Sequence, residues 1–198
     1  MQLYWAPKTR SIRILWLLEE IGRPYERVTL DIRNGPQTDP DFLRLNPMGK
    51  VPVLVDGEAV VSESGAIVAY LADRFPEARL APPLGDPRRG QYLKWLFFSG
   101  NCIEGAFAEK FGNLKLPESA AGWGSFERVV DVLERAVADG SWLQGETFTA
   151  ADVMIGADLH FGMVAFRIIE PRPALTAYVE RCQARPAWTR AMAIDEAG

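Results

Sequence analysis

Three small groups of residues in this chain have the types and spacing to do chemistry. Thr9 and Ser11 stand in the polar loop 6–11, between an apolar run and a helical pattern. Lys50, Val51 and Pro52 precede a β-branched run, and Glu63 and Ser64 open another helical pattern. A hydroxyl beside a helix start can donate to an anion, and the unpaired N–H groups of the first turn can hold a carboxylate. Backbone beside a proline at a strand start can pair with an extended peptide. Together these groups suit a small peptide that carries a carboxylate. Each also has a plainer explanation: Thr9, Ser11, Glu63 or Ser64 could simply cap a helix, Lys50 could be a solvated charge, and Pro52 could begin an edge strand.

Composition narrows the possibilities. The chain has 198 residues, 48% of them hydrophobic, enough for one large domain or two small ones. A net charge of −4 with no basic run offers no footprint for nucleic acid or an anionic membrane. No uncharged apolar stretch approaches the roughly 18 residues of a membrane span, and no secretion signal is visible at the N-terminus. The single histidine, His160, excludes a histidine-based metal cluster and argues against a Ser-His-Asp hydrolase. Cys102 and Cys182 are far apart and form no C-x-x-C motif, so a reducing cytoplasm is expected. A disulfide oxidoreductase is disfavoured because no cysteine falls in the first 101 residues.

The elements that must position these groups follow from periodicity. Residues 2–5 and 25–30 read as strands, with a helix over 11–21 between them that stops at Gly22 and Pro24. A short helix is expected over 41–45. Residues 53–61 form a hairpin pattern around Asp56-Gly57, followed by a helix to about Phe75. Strand, helix, strand, helix, hairpin, helix is one α/β unit with a mixed sheet. Three prolines and a glycine in residues 81–87 mark a linker. Beyond it all patterns are helical: 88–111, a stretch around Phe126 to Leu133, an all-round apolar run 153–166 capped by Thr149 and Asp152, then 175–183 and a short last helix from Pro186. The expected domains are 1–77, a linker 78–87, and a helical domain 88–198.

With these motifs in hand, the chain resembles the cytosolic glutathione S-transferases along essentially its whole length. Asn46-Pro47-x-Gly49-Lys50-Val51-Pro52-x-Leu54 and Glu63-Ser64-x-Ala66-Ile67 are similar to the family's glutathione-binding motifs, in order and spacing. Thr149-x-x-Asp152 resembles its buried capping motif and Arg185-Pro186-Ala187 its C-terminal signature. The departures from the cysteine-using and tyrosine-using classes suggest a bacterial, serine/threonine-type, theta-like or beta-like member. The resemblance implies an α/β plus all-α fold, with a thioredoxin-like N-terminal domain followed by an all-helical C-terminal domain. It also implies a homodimer, a role in detoxification, and glutathione as co-substrate with no metal.

Roles follow from the resemblance residue by residue. A cis Val51–Pro52 bond would present the Val51 backbone to the cysteinyl unit. Ser64 would donate to the γ-glutamyl carboxylate and Glu63 would accept from its ammonium. Lys50 and, more remotely, Gln37 would face the glycyl carboxylate. Thr9 falls where serine-using classes carry their catalytic serine, with Ser11 and an Arg10-assisted or backbone-only site as alternatives. Tyr4 is the weaker tyrosine alternative, and Arg10 replaces the cysteine of another class. Trp5, Phe98, Cys102, Phe107 and Phe111 would line a pocket for a hydrophobic electrophile, although aromatics at helical spacing are equally the mark of a core. Asn101 or Glu104 could reach glutathione across a dimer. Asp152 is expected to be structural. The competing reading is a glutathione-binding regulatory or scaffold module with little turnover, since fold does not fix function.

Overall fold

The computed structural model describes residues 1–32, 39–114, 116, 117, 119–140 and 142–198. By contact the chain divides into two compact units: Met1–Ala78 together with Arg185–Gly198, and Arg79–Ala184.

The first unit begins with β1 (Gln2–Trp5), α1 (Ile12–Ile21), β2 (Glu26–Thr29), α2 (Pro40–Leu45), β3 (Val53–Asp56), β4 (Ala59–Ser62) and α3 (Ser64–Arg74). Its sheet order is β2-β1-β3-β4, with β1 parallel to β2 and antiparallel to β3, and β3 antiparallel to β4. The parallel pair needs a crossover, and α1 supplies it. Ile12, Ile14, Leu15, Leu17 and Leu18 of α1 are buried with Leu3, Trp5, Val53, Leu54, Ile67 and Leu71, and these side chains form the core. Gly22 takes a φ of 70° and its N–H returns to Leu18 O at 2.9 Å, which ends α1 where the Gly-Pro signal places the stop. In the hairpin Asp56 pairs with Ala59, and Gly57 supplies the positive φ (62°) that the tight turn requires.

The second unit is helical. It contains α4 (Arg89–Phe98), α5 (Glu104–Gly112), α6 (Phe126–Val137), α7 (Ala150–His160) and α8 (Pro173–Gln183). The expected single helix over 88–111 is interrupted by a π turn, Ser99–Ile103, between α4 and α5, and a second π turn, Phe161–Ala165, continues α7. Such wide turns insert a residue without breaking the helical path, and apolar periodicity does not reveal them. Asp152 has the structural role expected of it. Its carboxylate accepts from the N–H groups of Leu143 and Thr149, both at 2.9 Å, and from the Tyr178 hydroxyl at 2.8 Å. Burial pushes its carboxyl above the ordinary range while these donors pull it down.

The chain closes with α9 (Pro186–Ala197), which belongs by contact to the first unit. The sequence pattern suggests a short helix at the end of a helical domain 88–198. In the structure it has 12 residues and packs on α1. Ala187, Trp188 and Ala191 are buried, and the Trp188 ring meets Trp16 edge-on at 4.9 Å. Arg185 grips Glu20 through Nε and Nη2 at 2.6 and 2.7 Å, and Arg190 Nε reaches Glu19 at 2.8 Å. These pairs tie the start of α9 to the end of α1, so the two helices run antiparallel. A small-and-aromatic stripe and two arginines therefore decide which unit this helix joins.

Candidate functional site

Strand register brings the three polar groups to one edge of the sheet. Tyr4 pairs with Val53, and Val53 with Ser62. The C-terminal end of β1, the N-terminal end of β3 and the C-terminal end of β4 are thus neighbours, at the roughly 4.8 Å spacing of paired strands. The loop 6–11 leaves this edge after Trp5, Val51 and Pro52 enter it just before Val53, and Glu63 and Ser64 follow Ser62.

The segment before Pro52 is locally fixed. Asn46, 5% exposed, donates from Nδ2 to Lys50 O at 2.7 Å and accepts from Met48 N–H at 3.1 Å. Gly49 N–H closes the turn on Asn46 O at 2.9 Å. One buried amide thereby sets the path of residues 46–50. The Val51–Pro52 bond is cis, as the resemblance implies. Pro52 is buried and Val51 half-buried. Val51 lies outside the β3 ladder, which begins at Val53, and takes no part in the loop hydrogen bonds of the described residues. Lys50 is exposed and makes no ion pair among the described residues.

Glu63 and Ser64 are not explained by capping. Glu63 occupies the N-cap of α3 at φ 69°, a left-handed conformation rare for a side chain of this kind, and its carboxylate makes no cap hydrogen bond. It is exposed, and neither its side chain nor that of the half-buried Ser64 has a partner among the described residues. The backbone thus presents a carboxylate, a hydroxyl and the first N–H groups of an 11-residue helix at one point. Such a group can hold a zwitterionic amino-acid end, the carboxylate on the donors and the ammonium on Glu63.

In the loop 6–11, the Thr9 hydroxyl donates to Ala6 O at 2.7 Å and shares a hydrogen bond with Ser11 Oγ at 2.9 Å. Ser11 N–H donates to Thr9 Oγ1 at 3.2 Å. Ser11 is fully buried, whereas Thr9 and Arg10 are half-buried. Thr9 O and Ser11 O accept from Ile12 and Ile14, so the loop winds directly into α1. A cavity of about 720 Å³ beside this loop is lined by Ala6, Pro7, Lys8, Leu30, Ile32 and Asp195.

The remaining residues singled out from sequence are dispersed. Gln37 lies outside the described residues. Trp5 is 1% exposed, with the Arg27 guanidinium over its ring at 5.8 Å, and offers almost no surface to a ligand. In the second unit Phe98 is half-buried against Trp95, Cys102 sits half-buried on the π turn, and Phe107 is buried edge-on to Phe166. Phe111 is exposed, also edge-on to Phe166. Burial raises the Cys102 thiol above its ordinary pKa, which makes it a poor nucleophile. Among the described residues no cluster of metal-ligating side chains occurs. Sequence reasoning quotes Asn46 within the motif without giving it a role, and it misses Asp195, an acid on an otherwise apolar stripe that accepts from the loop at Lys8.

Comparison with known proteins agrees with this geometry. Residues 1–73 match the glutathione S-transferase N-terminal domain and residues 117–181 the C-terminal domain. Glutathione S-transferase Z2 of Arabidopsis thaliana is 30% identical over 96% of this chain and 88% of its own. The crystal structure of a glutathione transferase from Methylococcus capsulatus has a TM-score of 0.83 at 32% identity, covering 100% of this chain and 99% of the other. A sphingomonad glutathione S-transferase solved in complex with glutathione has a TM-score of 0.81 at 30% identity, with both chains fully covered. The chain has the thioredoxin-like N-terminal domain and the helical C-terminal domain of these enzymes, and it belongs to the glutathione S-transferase family.

Proposed function

We propose that this protein binds glutathione along the edge formed by the loop 6–11, Val51–Pro52 and Glu63–Ser64, holds it as the thiolate, and directs it at a hydrophobic electrophile. The observation that carries the reading is the register Tyr4–Val53–Ser62, which sets the three groups side by side. The Val51 backbone pairs with the cysteinyl unit in the manner of strand addition. Ser64 and the first turn of α3 take the γ-glutamyl carboxylate, Glu63 takes the ammonium, and Lys50, with Gln37, takes the glycyl carboxylate.

The chemistry asked of the loop is modest. A thiol of pKa near ~8.5 is only about 3% ionised at pH 7. Lowering it by about 2 units makes thiolate the major form and requires roughly 2.7 kcal/mol of differential interaction. One hydroxyl donor to an anion, of about 1.5–3 kcal/mol, together with the field of a helix start, is of that size. Thr9 is the hydroxyl that reaches the surface, and its proton turns from Ala6 O to the sulfur. Ser11, being buried, supports Thr9 from behind. Catalysis then comes from thiolate stabilisation and proximity, without acid–base residues. The family resemblance adds a homodimer in a reducing cytoplasm to this reading.

The test is conjugation of glutathione to an activated aryl halide by the parent protein, T9A and S11A. Turnover that falls most in T9A supports the reading. Absence of turnover with several electrophile classes, together with calorimetric binding of glutathione, favours a binding module instead. No binding at all overturns both.

A further inference from the structure

The last helix carries a carboxylate where its pattern calls for an apolar side chain. Trp188 and Ala191 are buried on the face of α9 that meets α1, and Asp195 continues that stripe at i, i+3, i+7, itself only 6% exposed. Both of its oxygens accept from the Lys8 N–H, at 3.1 Å each. Burial pushes its carboxyl above the ordinary range, and the Lys8 N–H and charge offset this only in part. Burial of this acid is only partly offset by its donor, which turns attention to what the carboxylate holds.

What it holds is the loop of the proposed thiolate site. Lys8 takes a φ of 58°, the left-handed region that non-glycine side chains rarely enter. It follows Pro7, which has no N–H, and immediately precedes Thr9. Thr9 closes the same turn from inside through Ala6 O at 2.7 Å. The loop is thus tied from both sides: from inside by the Thr9 hydroxyl, and at Lys8 by a bond brought 187 residues along the chain by α9. The anchor at the other end of α9 is firm, because Arg185 and Arg190 are clamped to Glu20 and Glu19. Without an acceptor for its N–H, Lys8 has no reason to stay left-handed, and a change of φ there swings Thr9.

We propose that Asp195 is a positioning residue, reaching from the last helix to the Lys8 amide and locking the loop so that the Thr9 hydroxyl meets the glutathione sulfur. This rests on the role of Thr9 given above. Three readouts test it in the parent, D195N, D195A, D195L and the exposed control E196Q. The first is the ultraviolet thiolate absorbance of bound glutathione against pH. The second is kcat and the glutathione KM with an aryl halide. The third is hydrogen exchange at the backbone amides of residues 8–11 in the protein alone. D195A and D195L are expected to raise the thiolate midpoint by about 1 pH unit and lower kcat about tenfold near neutrality. The glutathione KM should stay within about twofold, and Lys8 amide protection should be lost. D195N, whose side-chain oxygen still accepts, should stay within about threefold of the parent in kcat, and E196Q should match it. D195L suits the apolar stripe and supplies an acceptor-free variant should D195A fail to fold. A parent-like thiolate titration and kcat in D195A or D195L overturn the proposal, as does a D195N no better than D195L. The reading of the site fails separately, through a parent that shows no bound thiolate. The exchange measurement needs no glutathione, so unchanged Lys8 protection in D195L overturns the clamp whatever the ligand.

Discussion

Thr9 Oγ1 lies 2.9 Å from Ser11 Oγ, and the two hydroxyls differ in one decisive respect: Ser11 is wholly buried and Thr9 is not. Each hydroxyl has one proton. With the Thr9 proton on Ala6 O, or on a ligand sulfur, the Thr9 oxygen accepts from Ser11 Oγ–H and Ser11 N–H together. Hydrogen bonds in such a chain strengthen one another, so the inner hydroxyl makes the outer one a better donor.

Removing each hydroxyl should therefore have a different signature. Thr9→Ala should lower kcat/KM about 10- to 100-fold, the size of one hydrogen bond to an anion, and should also cost about 1–3 kcal/mol of stability, because it leaves the buried Ser11 hydroxyl without its partner. Thr9→Ser, which keeps the donor and drops the β-branch, should recover most of that. Ser11→Ala should cost only a few-fold in kcat/KM but about 1 kcal/mol of stability, because it strips a buried partner from Thr9. Steady-state kinetics and urea unfolding of the three variants check the pattern; equal kinetic losses for Thr9→Ala and Ser11→Ala would count against the division of roles.

Glu63→Gln and Ser64→Ala should weaken glutathione without touching the chemical step. The side chains have no partner among the described residues, so unfolding should shift by less than about 0.5 kcal/mol. Losing a charge-assisted bond of about 1.5–3 kcal/mol should raise the glutathione Kd roughly 10- to 100-fold, with kcat at saturation nearly unchanged. Calorimetry and kcat under saturating glutathione measure the two halves. A loss of stability comparable to a helix cap, about 1 kcal/mol, would restore the capping explanation.

The sequence carries the sheet edge better than the loop. Asp-Gly at 56–57, the stop at Gly22 and Pro24, and the period of α1, α6 and α8 are local signals, and local physics makes them legible. The cis bond and the Glu63–Ser64 pair are legible only through the family resemblance, because a proline at a strand start and an acid at a helix start are ordinary events. Three features are not legible. The π turns add a residue within continuous helix, which leaves no composition mark. The destination of α9 depends on Arg185 and Arg190 meeting Glu20 and Glu19, contacts separated by 165 and 171 residues. Trp5 is an aromatic at a loop edge that could equally line a pocket or fill the core, and only the packing decides for the core.

The Arg185–Glu20 pair should be worth more than a surface ion pair. The Glu20 side chain is 9% exposed, the contact is bidentate, and Glu20 also accepts from Trp16 Nε1 at 2.9 Å. Arg185→Met should destabilise by about 1–3 kcal/mol, since it leaves a buried carboxylate with one neutral donor. Adding Glu20→Gln should recover part of the loss, so that the double variant falls short of the sum of the singles by at least about 0.5 kcal/mol. Urea midpoints of the four proteins in this cycle supply the coupling, and strict additivity would place the pair among solvated contacts.

Asp195 sets a pH dependence whose sign can be worked out. Its carboxyl is raised in the folded protein by burial, with the exposed Glu196 adding to the rise and the Lys8 N–H and charge opposing it. The folded state therefore binds this proton more tightly than the unfolded chain, where an aspartate titrates near ~3.9. Where the folded state holds the extra proton, stability falls as pH rises. The contribution of Asp195 is thus greatest below about pH 4, declines as pH climbs toward the raised folded value, and stays low above it. The amide of D195N cannot ionise, so the urea midpoint of this variant relative to the parent should climb over the same interval and then level off. A difference between the two that is flat with pH, or that shrinks as pH rises, would show that Asp195 ionises as readily in the fold as outside it.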